Sequence, residues 1–283
     1  TNIFPAHERG KAIGIWAGAS GIGGSLGPLL GGTLLAHYSW QSVFLVNVPI
    51  VIIGVIAGLS IIPTSKDPSA PKLDPLGALL SIAGLAVLPW GLIEAPGKGW
   101  TDSSVLGAIG GGLALIGVFI AWELHTDHPM LDMRFFKNPR FSAASGSITF
   151  VFFAMFGTMF LIGQYLQFVL GYTPLQTGVR FIPFSLVMLV IAPNSARIVA
   201  KFGTKITVAA GLTVVTIGLF LLSTMTVDTE YVWVMLRMMC LAGGMALVMA
   251  PATESVMSAL PLAKAGVGSA VNDTTRQVGG ALG

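Results

Sequence analysis

Along this chain the charged residues fall into short clusters, and the stretches between the clusters are almost wholly apolar. The long apolar runs lie at about 12–36, 42–62, 75–93, 104–122, 142–168, 178–195, 206–225 and 231–252, and another begins near 269. Each is close to the ~20 residues that a helix needs to cross ~30 Å of hydrocarbon. The pattern predicts an all-α polytopic membrane protein with about eight complete transmembrane helices.

Composition agrees with that reading. Only 10% of the 283 residues are charged and 54% are hydrophobic, against about 25% charged in soluble domains. The mean hydropathy is +0.82. A single cysteine, Cys240, excludes an internal disulfide. The net charge of +3 is spread over many short loops, so no nucleic-acid partner is expected. The chain starts at Thr1 and stops at Gly283 inside an apolar run, and it is expected to be a fragment.

The first run is crowded with glycine. Residues 14–32 read GIWAGASGIGGSLGPLLGG, with Gly23, Gly27 and Gly31 at i, i+4 and i+8 on one helix face. Each interior glycine costs roughly 1 kcal/mol against alanine in a helix. In lipid the backbone must bond to itself, so the helix forms regardless, and a small-residue face lets a neighbouring helix approach closely. Pro28 breaks the hydrogen-bond ladder locally. The stretch from Gly18 to Gly23 also has the look of a dinucleotide loop, but it follows a charged loop and runs on into apolar helix instead of sitting in a βαβ unit.

The spacing Gly14, Gly23, Gly27-Pro28 and Gly31-Gly32 resembles, at all six positions, the antiporter motif in the fifth helix of drug-exporting major facilitator proteins. Trp40-Gln-Ser-Val-Phe-Leu-Val-Asn-Val-Pro49 is similar to the stretch that opens the sixth helix of the 14-helix drug:proton antiporters, with Gln41 in place of the usual arginine. Tyr165 to Tyr172, followed by Pro174, Gly178 and Pro183, resembles the ninth-to-tenth helix segment, and Gly268 to Gly280 the start of the thirteenth. Residues 196–205 resemble a decayed copy of a basic cytoplasmic loop, with Ala200 where stronger copies carry aspartate. The resemblance implies a major facilitator fold of two six-helix bundles plus a linking helix pair. It assigns 1–62 to the end of the N-terminal bundle (helices 5 and 6), 63–141 to the linking pair (helices 7 and 8) with a cytoplasmic loop, and 142–283 to a truncated C-terminal bundle (helices 9 to 13). It also implies a multi-pass protein of a bacterial cytoplasmic membrane, expected as a monomer.

Candidate transport residues are polar groups within the spans. Gln164, Tyr165 and Gln167 lie in or near the outer half of one run, and Phe153, Phe156 and Phe160 share a face of the same run. Phenyl faces suit aromatic or cationic compounds, and a lipid-facing stripe fits the same spacing. Charges within spans cost roughly 2.5–3.5 kcal/mol at the helix centre. Arg180 lies near the outer end of its span, from which it can snorkel. Arg237 lies deeper, seven residues after Glu230, and two readings stay open: cavity lining or ion pairing, and snorkelling. Glu254 follows Pro251 near the cytoplasmic end and reads as interfacial. Asp273 and Arg276 at i, i+3 read as a local ion pair, with Asp273 as an acid at the cavity mouth, a possible coupling acid, as the sharper alternative. Glu94, among Pro96, Gly97 and Gly99, reads as loop. His125 and His128 near Asp127 and Asp132 read as a solvated loop; no metal site and no cofactor is expected.

The function implied is secondary active export of lipophilic drugs or biocides in exchange for protons, with the lipid bilayer as surroundings. A narrow-specificity metabolite exporter of the same fold and a non-transporting receptor or scaffold remain as alternatives. An enzyme is not expected, since the chain carries no H-E-x-x-H, G-x-S-x-G or P-loop.

Orientation follows from the loops. Arg9 and Lys11; Lys66 and Lys72; Arg134, Lys137 and Arg140; Arg197, Lys201 and Lys205; and Lys264 fall in one alternating set, and the other holds only Lys98. The basic set is cytoplasmic by the positive-inside tendency. In a Cys240-free background, single cysteines at Ser69 and Asp127 are expected to resist a membrane-impermeant thiol reagent in intact cells, and one at Lys98 to react. Labelling at Ser69 without labelling at Lys98 would invert the topology.

Overall fold

The structure is a computed structural model that describes residues 8, 23, 27, 29–61, 74–127, 129–260 and 265–283. Gly14 and Pro28 lie outside the described residues. The described chain is helical throughout, with no strand. After a helical stretch at 29–37 come α1 (Ser42–Leu45), α2 (Asn47–Ile61), α3 (Pro75–Lys98), α4 (Ser103–His125), a 3-10 turn at Met133–Lys137 and α5 (Pro139–Gln164). A π-helical segment at Tyr165–Val169, α6 (Pro174–Arg180), α7 (Ile182–Phe202), α8 (Thr204–Ser223), α9 (Tyr231–Ser258) and α10 (Ala265–Leu282) follow. Among the described residues seven helices are long and apolar enough to cross a membrane. They coincide with seven of the predicted runs. The predicted run at 12–36 falls mostly outside the described residues.

The helix ends show why these boundaries hold. Asp74 caps α3 by accepting from Gly77 N at 2.9 Å. Asp102 caps α4, accepting from Ser104 N at 2.8 Å and Val105 N at 3.4 Å, and the Ser104 hydroxyl adds a further bond at 2.5 Å. That hydroxyl, followed by the Ser104 amide, holds the exposed Asp102 carboxyl below its ordinary range, so this cap works above the usual carboxylate range and is lost as pH falls through the lowered value. Thr173 and Gln176 form a reciprocal capping box on α6, with Pro174 at its first position.

Glu94 is helical, which corrects the loop reading. Helix α3 continues through Pro96 to Lys98, and Glu94 pairs with Lys98 at 3.0 Å across one turn. Proline and glycine made the segment look like loop. The i, i+4 ion pair and the lysine at the negative end of the helix favour the extra turn.

The described residues of 71–158 and 252–283 form one compact unit, and those of 7–70 and 159–251 a second. The unit boundaries fall within α5 and α9.

In the first unit α3 and α4 form a hairpin packed on glycine. Gly77, Gly84 and Gly91 recur every seventh residue of α3 and are all buried. A Cβ at Gly84 would lie 2.9 Å from Ile116, and one at Gly91 2.9 Å from Ala108 Cβ. On α4, a Cβ at Gly112 would meet the Leu88 backbone at 2.7 Å. In the second unit α8 and α9 approach in the same way. Cβ atoms at Gly218 and Gly244 would fall 2.9 Å from Leu241 Cα and 2.6 Å from Val215 N. Helix α9 is the most buried span, with Leu241, Met245 and Val248 at its centre. Helix α2 is the opposite case: it has no buried residue, and Leu59 and Ile61 are 83% and 78% exposed, as befits a span surrounded by lipid or further helices.

In the 3-10 turn Phe135 and Phe136 both pack on the fully buried Phe141 at the start of α5, with ring centroids 6.2 and 5.1 Å away. Phe136 stays 39% exposed.

Gly112→Leu forces a side chain into Leu88 backbone. It is expected to lower the unfolding midpoint of the detergent-solubilised protein by the equivalent of about 1–3 kcal/mol, while Gly111→Leu, where a Cβ meets nothing within 4 Å, leaves it unchanged.

Candidate functional site

The glycine face places its close contact one residue from where the spacing put it. Gly23, Gly27 and Gly31 would each carry a Cβ with nothing within 4 Å among the described residues. Gly32 is buried, and a Cβ there would lie 2.7 Å from the Leu175 backbone and 2.9 Å from the Pro174 carbonyl carbon. Gly32 thus lets the first described helix touch the start of α6, a closeness no side chain permits.

Gln164, Tyr165 and Gln167 lie where α5 changes its winding. From Tyr165 to Val169 the hydrogen bonds step to i+5: Leu170 N donates to Tyr165 O at 3.1 Å. The wide turn ends the helix, as π-turns commonly do at helix C-termini. Leu166 is fully buried, Gln164 is exposed and Gln167 half-buried. Tyr165 has a fixed role, its hydroxyl donating to Thr226 O at 2.8 Å and lying 3.2 Å from Thr229 O, which ties α5 to the loop between α8 and α9.

Arg180 does more than snorkel. Its guanidinium lies 3.5 Å from the Tyr172 ring centroid and 5.1 Å from that of Tyr231, with Nη1 donating to Gln176 O at 3.2 Å. Tyr231 in turn donates to Arg180 O at 2.9 Å. The stack joins the end of α6 to the start of α9. Arg237, two turns into α9, is half-buried, and its Nη1 is buried without a hydrogen-bond partner. No ion pair with Glu230 forms among the described residues.

In the first unit Phe156 is 50% exposed, stacks on Phe152 at 6.3 Å and lies 3.1 Å from a Cβ built on Gly280. Phe153 is 47% exposed, and Phe160, in the second unit, 66%. Asp273 is exposed. Arg276 points to α9, where Nη2 donates to Thr253 Oγ1 at 3.0 Å and the guanidinium lies 5.2 Å from the Phe152 ring centroid. Buried Asn272 accepts from the same Thr253 hydroxyl at 3.3 Å. Glu254 is half-buried within α9. The sequence-derived candidates are therefore divided: Phe156 and Asp273 belong to the first unit, and Gln164, Tyr165, Gln167 and Arg237 to the second.

Sequence reasoning missed Glu123. This acid ends α4 at 2% exposure, its Oε2 accepting from Leu131 N at 2.8 Å. Its place at the edge of an apolar run resembles any solvated helix end. The backbone at Met130 and Leu131 returns to it from beyond the helix end. The Gly77, Gly84, Gly91 spacing is the signal in the sequence for the α3/α4 contact beside Glu123.

A run of membrane-spanning helices, glycine-mediated contacts and a Gly-Pro-rich first segment fits the Major Facilitator Superfamily, whose family model matches residues 1–283. The chain belongs to the major facilitator superfamily. Within that superfamily it is 38% identical over 281 residues to an uncharacterized MFS-type transporter, YhcA, of Bacillus subtilis, covering 99% of this chain and 53% of the relative. It is 32% identical over 281 residues both to the multidrug resistance protein Stp of Mycobacterium tuberculosis and to the tetracenomycin C resistance and export protein of Streptomyces glaucescens, in each case covering 99% of this chain and 52% of the relative. The chain spans about half the length of the curated relatives it matches. Its apolar spans and these bacterial efflux relatives make it a multi-pass protein of the bacterial plasma membrane.

Gly32→Leu is expected to destabilise the solubilised protein by about 1–3 kcal/mol through its clash with Leu175. Gly31→Leu is expected to be silent in the same thermal assay unless another segment of the full-length protein covers that face.

Proposed function

We propose that the full-length protein is a secondary active transporter that expels lipophilic drugs or biocides across the cytoplasmic membrane in exchange for protons. The carrying observation is the complete six-position pattern Gly14, Gly23, Gly27, Pro28, Gly31 and Gly32, in a chain whose relatives include named resistance and export proteins. In this reading 1–62 closes an N-terminal bundle, 63–141 is a linking helix pair and loop, and 142–283 belongs to a C-terminal bundle. The protein works as a monomer by alternating access between the bundles.

The proposed cavity draws on Gln164, Tyr165, Gln167, Phe156 and Arg237, with Asp273 as a coupling acid. A loosely polar, aromatic lining discriminates poorly among apolar compounds, since one methylene is worth only ~1–3 kcal/mol, so broad specificity follows. Buried Arg237 Nη1, which lacks a partner, supports a polar or charged contact at that depth. The driving force suffices: one charge crossing 100 mV releases ~2.3 kcal/mol, which at ~1.4 kcal/mol per tenfold sustains a roughly forty-fold gradient.

In cells or proteoliposomes carrying the full-length protein, export of a fluorescent cationic dye is expected to stop on addition of a protonophore and to need no ATP. Gly27→Leu is expected to insert normally and to lose export. Export that survives the protonophore, or a deletion strain unchanged in its sensitivity to every dye and biocide tested, would overturn drug:proton antiport and bring forward a narrow metabolite exporter. Full activity in Gly27→Leu would mean that this face is turned to lipid.

A further inference from the structure

At the ends of α3 and α4 two carboxyl groups meet on one glycine. A Cβ built on Gly77 would lie 2.5 Å from Glu123 Oε1 and 2.6 Å from Asp74 Oδ2. The two acids are satisfied unequally. Asp74 Oδ1 accepts from Gly77 N at 2.9 Å and Oδ2 from Trp122 Nε1 at 2.8 Å. Glu123 is 2% exposed; Oε2 accepts from Leu131 N at 2.8 Å, but Oε1 is buried with no partner.

An unpaired carboxylate is costly to bury, and two carboxylates this close cannot both keep their charge without mutual repulsion. One proton on Glu123 Oε1 removes both difficulties. It gives the orphan oxygen a proton to donate, and Asp74 Oδ2, which borders the same Gly77 Cβ position, is the acceptor assigned to it. The assignment within the pair follows from the donors: two N–H groups already donate to Asp74, and none reaches Glu123 Oε1.

Among the described residues, the remaining charged groups on the surrounding elements do not supply a counter-ion. Asp132, at the head of the 3-10 turn, is a further negative charge acting on Glu123. Arg134 and Lys137 on that turn are exposed. His125 on the same helix engages Ala121 O through Nδ1 at 2.7 Å. On α10, which packs against α3, Asp273 is exposed and Arg276 is turned to Thr253. Among the described residues no lysine or arginine forms an ion pair with Glu123.

We propose that Glu123 and Asp74 form a proton-binding site, in which a single proton carried on Glu123 Oε1 and directed at Asp74 Oδ2 fastens the α3/α4 hairpin to the segment leading to Leu131. The loaded pair carries one negative charge. Losing the proton to water leaves two, and their repulsion pushes apart Asp74, which caps α3, and Glu123, which holds Leu131. The hairpin end is thereby a latch that closes on protonation.

The test uses the full-length protein in nanodiscs. Infrared difference spectra between neutral and alkaline pH are expected to show a protonated-carboxyl C=O band that disappears on alkalinisation, is missing in Glu123→Gln and is shifted in Asp74→Asn. Thermal unfolding adds a second readout. Wild-type stability should decline as pH rises through the titration of the pair, whereas Glu123→Gln, whose neutral amide can donate to Asp74, should match wild type at neutral pH and lose that decline. Glu123→Ala should be less stable at every pH; if it fails to fold, the glutamine variant still decides. A carboxyl band that persists in Glu123→Gln, or a stability that responds to added sodium, potassium or magnesium chloride and not to pH, would overturn the proposal, the latter outcome in favour of a metal-cation site.

Discussion

In the hydrocarbon of a bilayer no water is present to satisfy a free peptide group, and the structure follows from that constraint. Every described span closes its own backbone hydrogen bonds as helix, including the glycine-rich α4. Apolar side chains gain little from meeting each other instead of lipid, so what distinguishes one helix pair from another is how closely the backbones approach. The α3/α4 hairpin uses Gly84, Gly91 and Gly112 for this, and the α8/α9 pair uses Gly218 and Gly244. Helix α2, which has no such contact within 4 Å at Gly54, is also the span with no buried residue.

The spans were legible because length and hydropathy decide them almost alone. Seven described helices match predicted runs to within seven residues at either end, and the end of α3 moves where an ion pair adds a turn, at Glu94 and Lys98. The rotation of the glycine-bearing helix was not legible. The spacing of Gly23, Gly27 and Gly31 marks a small-residue face, yet the contact that forms within the described chain is at Gly32, because which face meets a neighbour depends on the rotation of the helix, and rotation is set by packing. Arg180 could be placed near a membrane surface from sequence, but its aromatic partners Tyr172 and Tyr231 are brought together only by the fold. Glu123 was invisible for the same reason: a lone acid after an apolar run becomes a buried group only when Leu131 returns to it.

Polar residues within the spans divide into those the fold employs structurally and those it leaves open. Tyr165 is committed to the Thr226 and Thr229 carbonyls, and Arg276 to Thr253 and Phe152. Gln164 is exposed, and Arg237 keeps a buried nitrogen without a partner. Residues of the second kind keep hydrogen-bonding capacity that the described fold does not use, whereas a group already hydrogen-bonded inside the protein must lose that bond before gaining another.

Where the π-helical segment ends, the chain turns through Gly171 at φ +69°, with Tyr172 N bonded back to Leu166 O at 3.0 Å. A residue with a Cβ would carry about 1–2 kcal/mol of strain in that left-handed conformation. Tyr172 is the next residue, and its ring is the one closest to the Arg180 guanidinium. The aromatic stack that fastens α6 to α9 therefore depends on a position where a Cβ would meet nothing within 4 Å: the achirality of one backbone atom sets the anchorage of a cation nine residues further along.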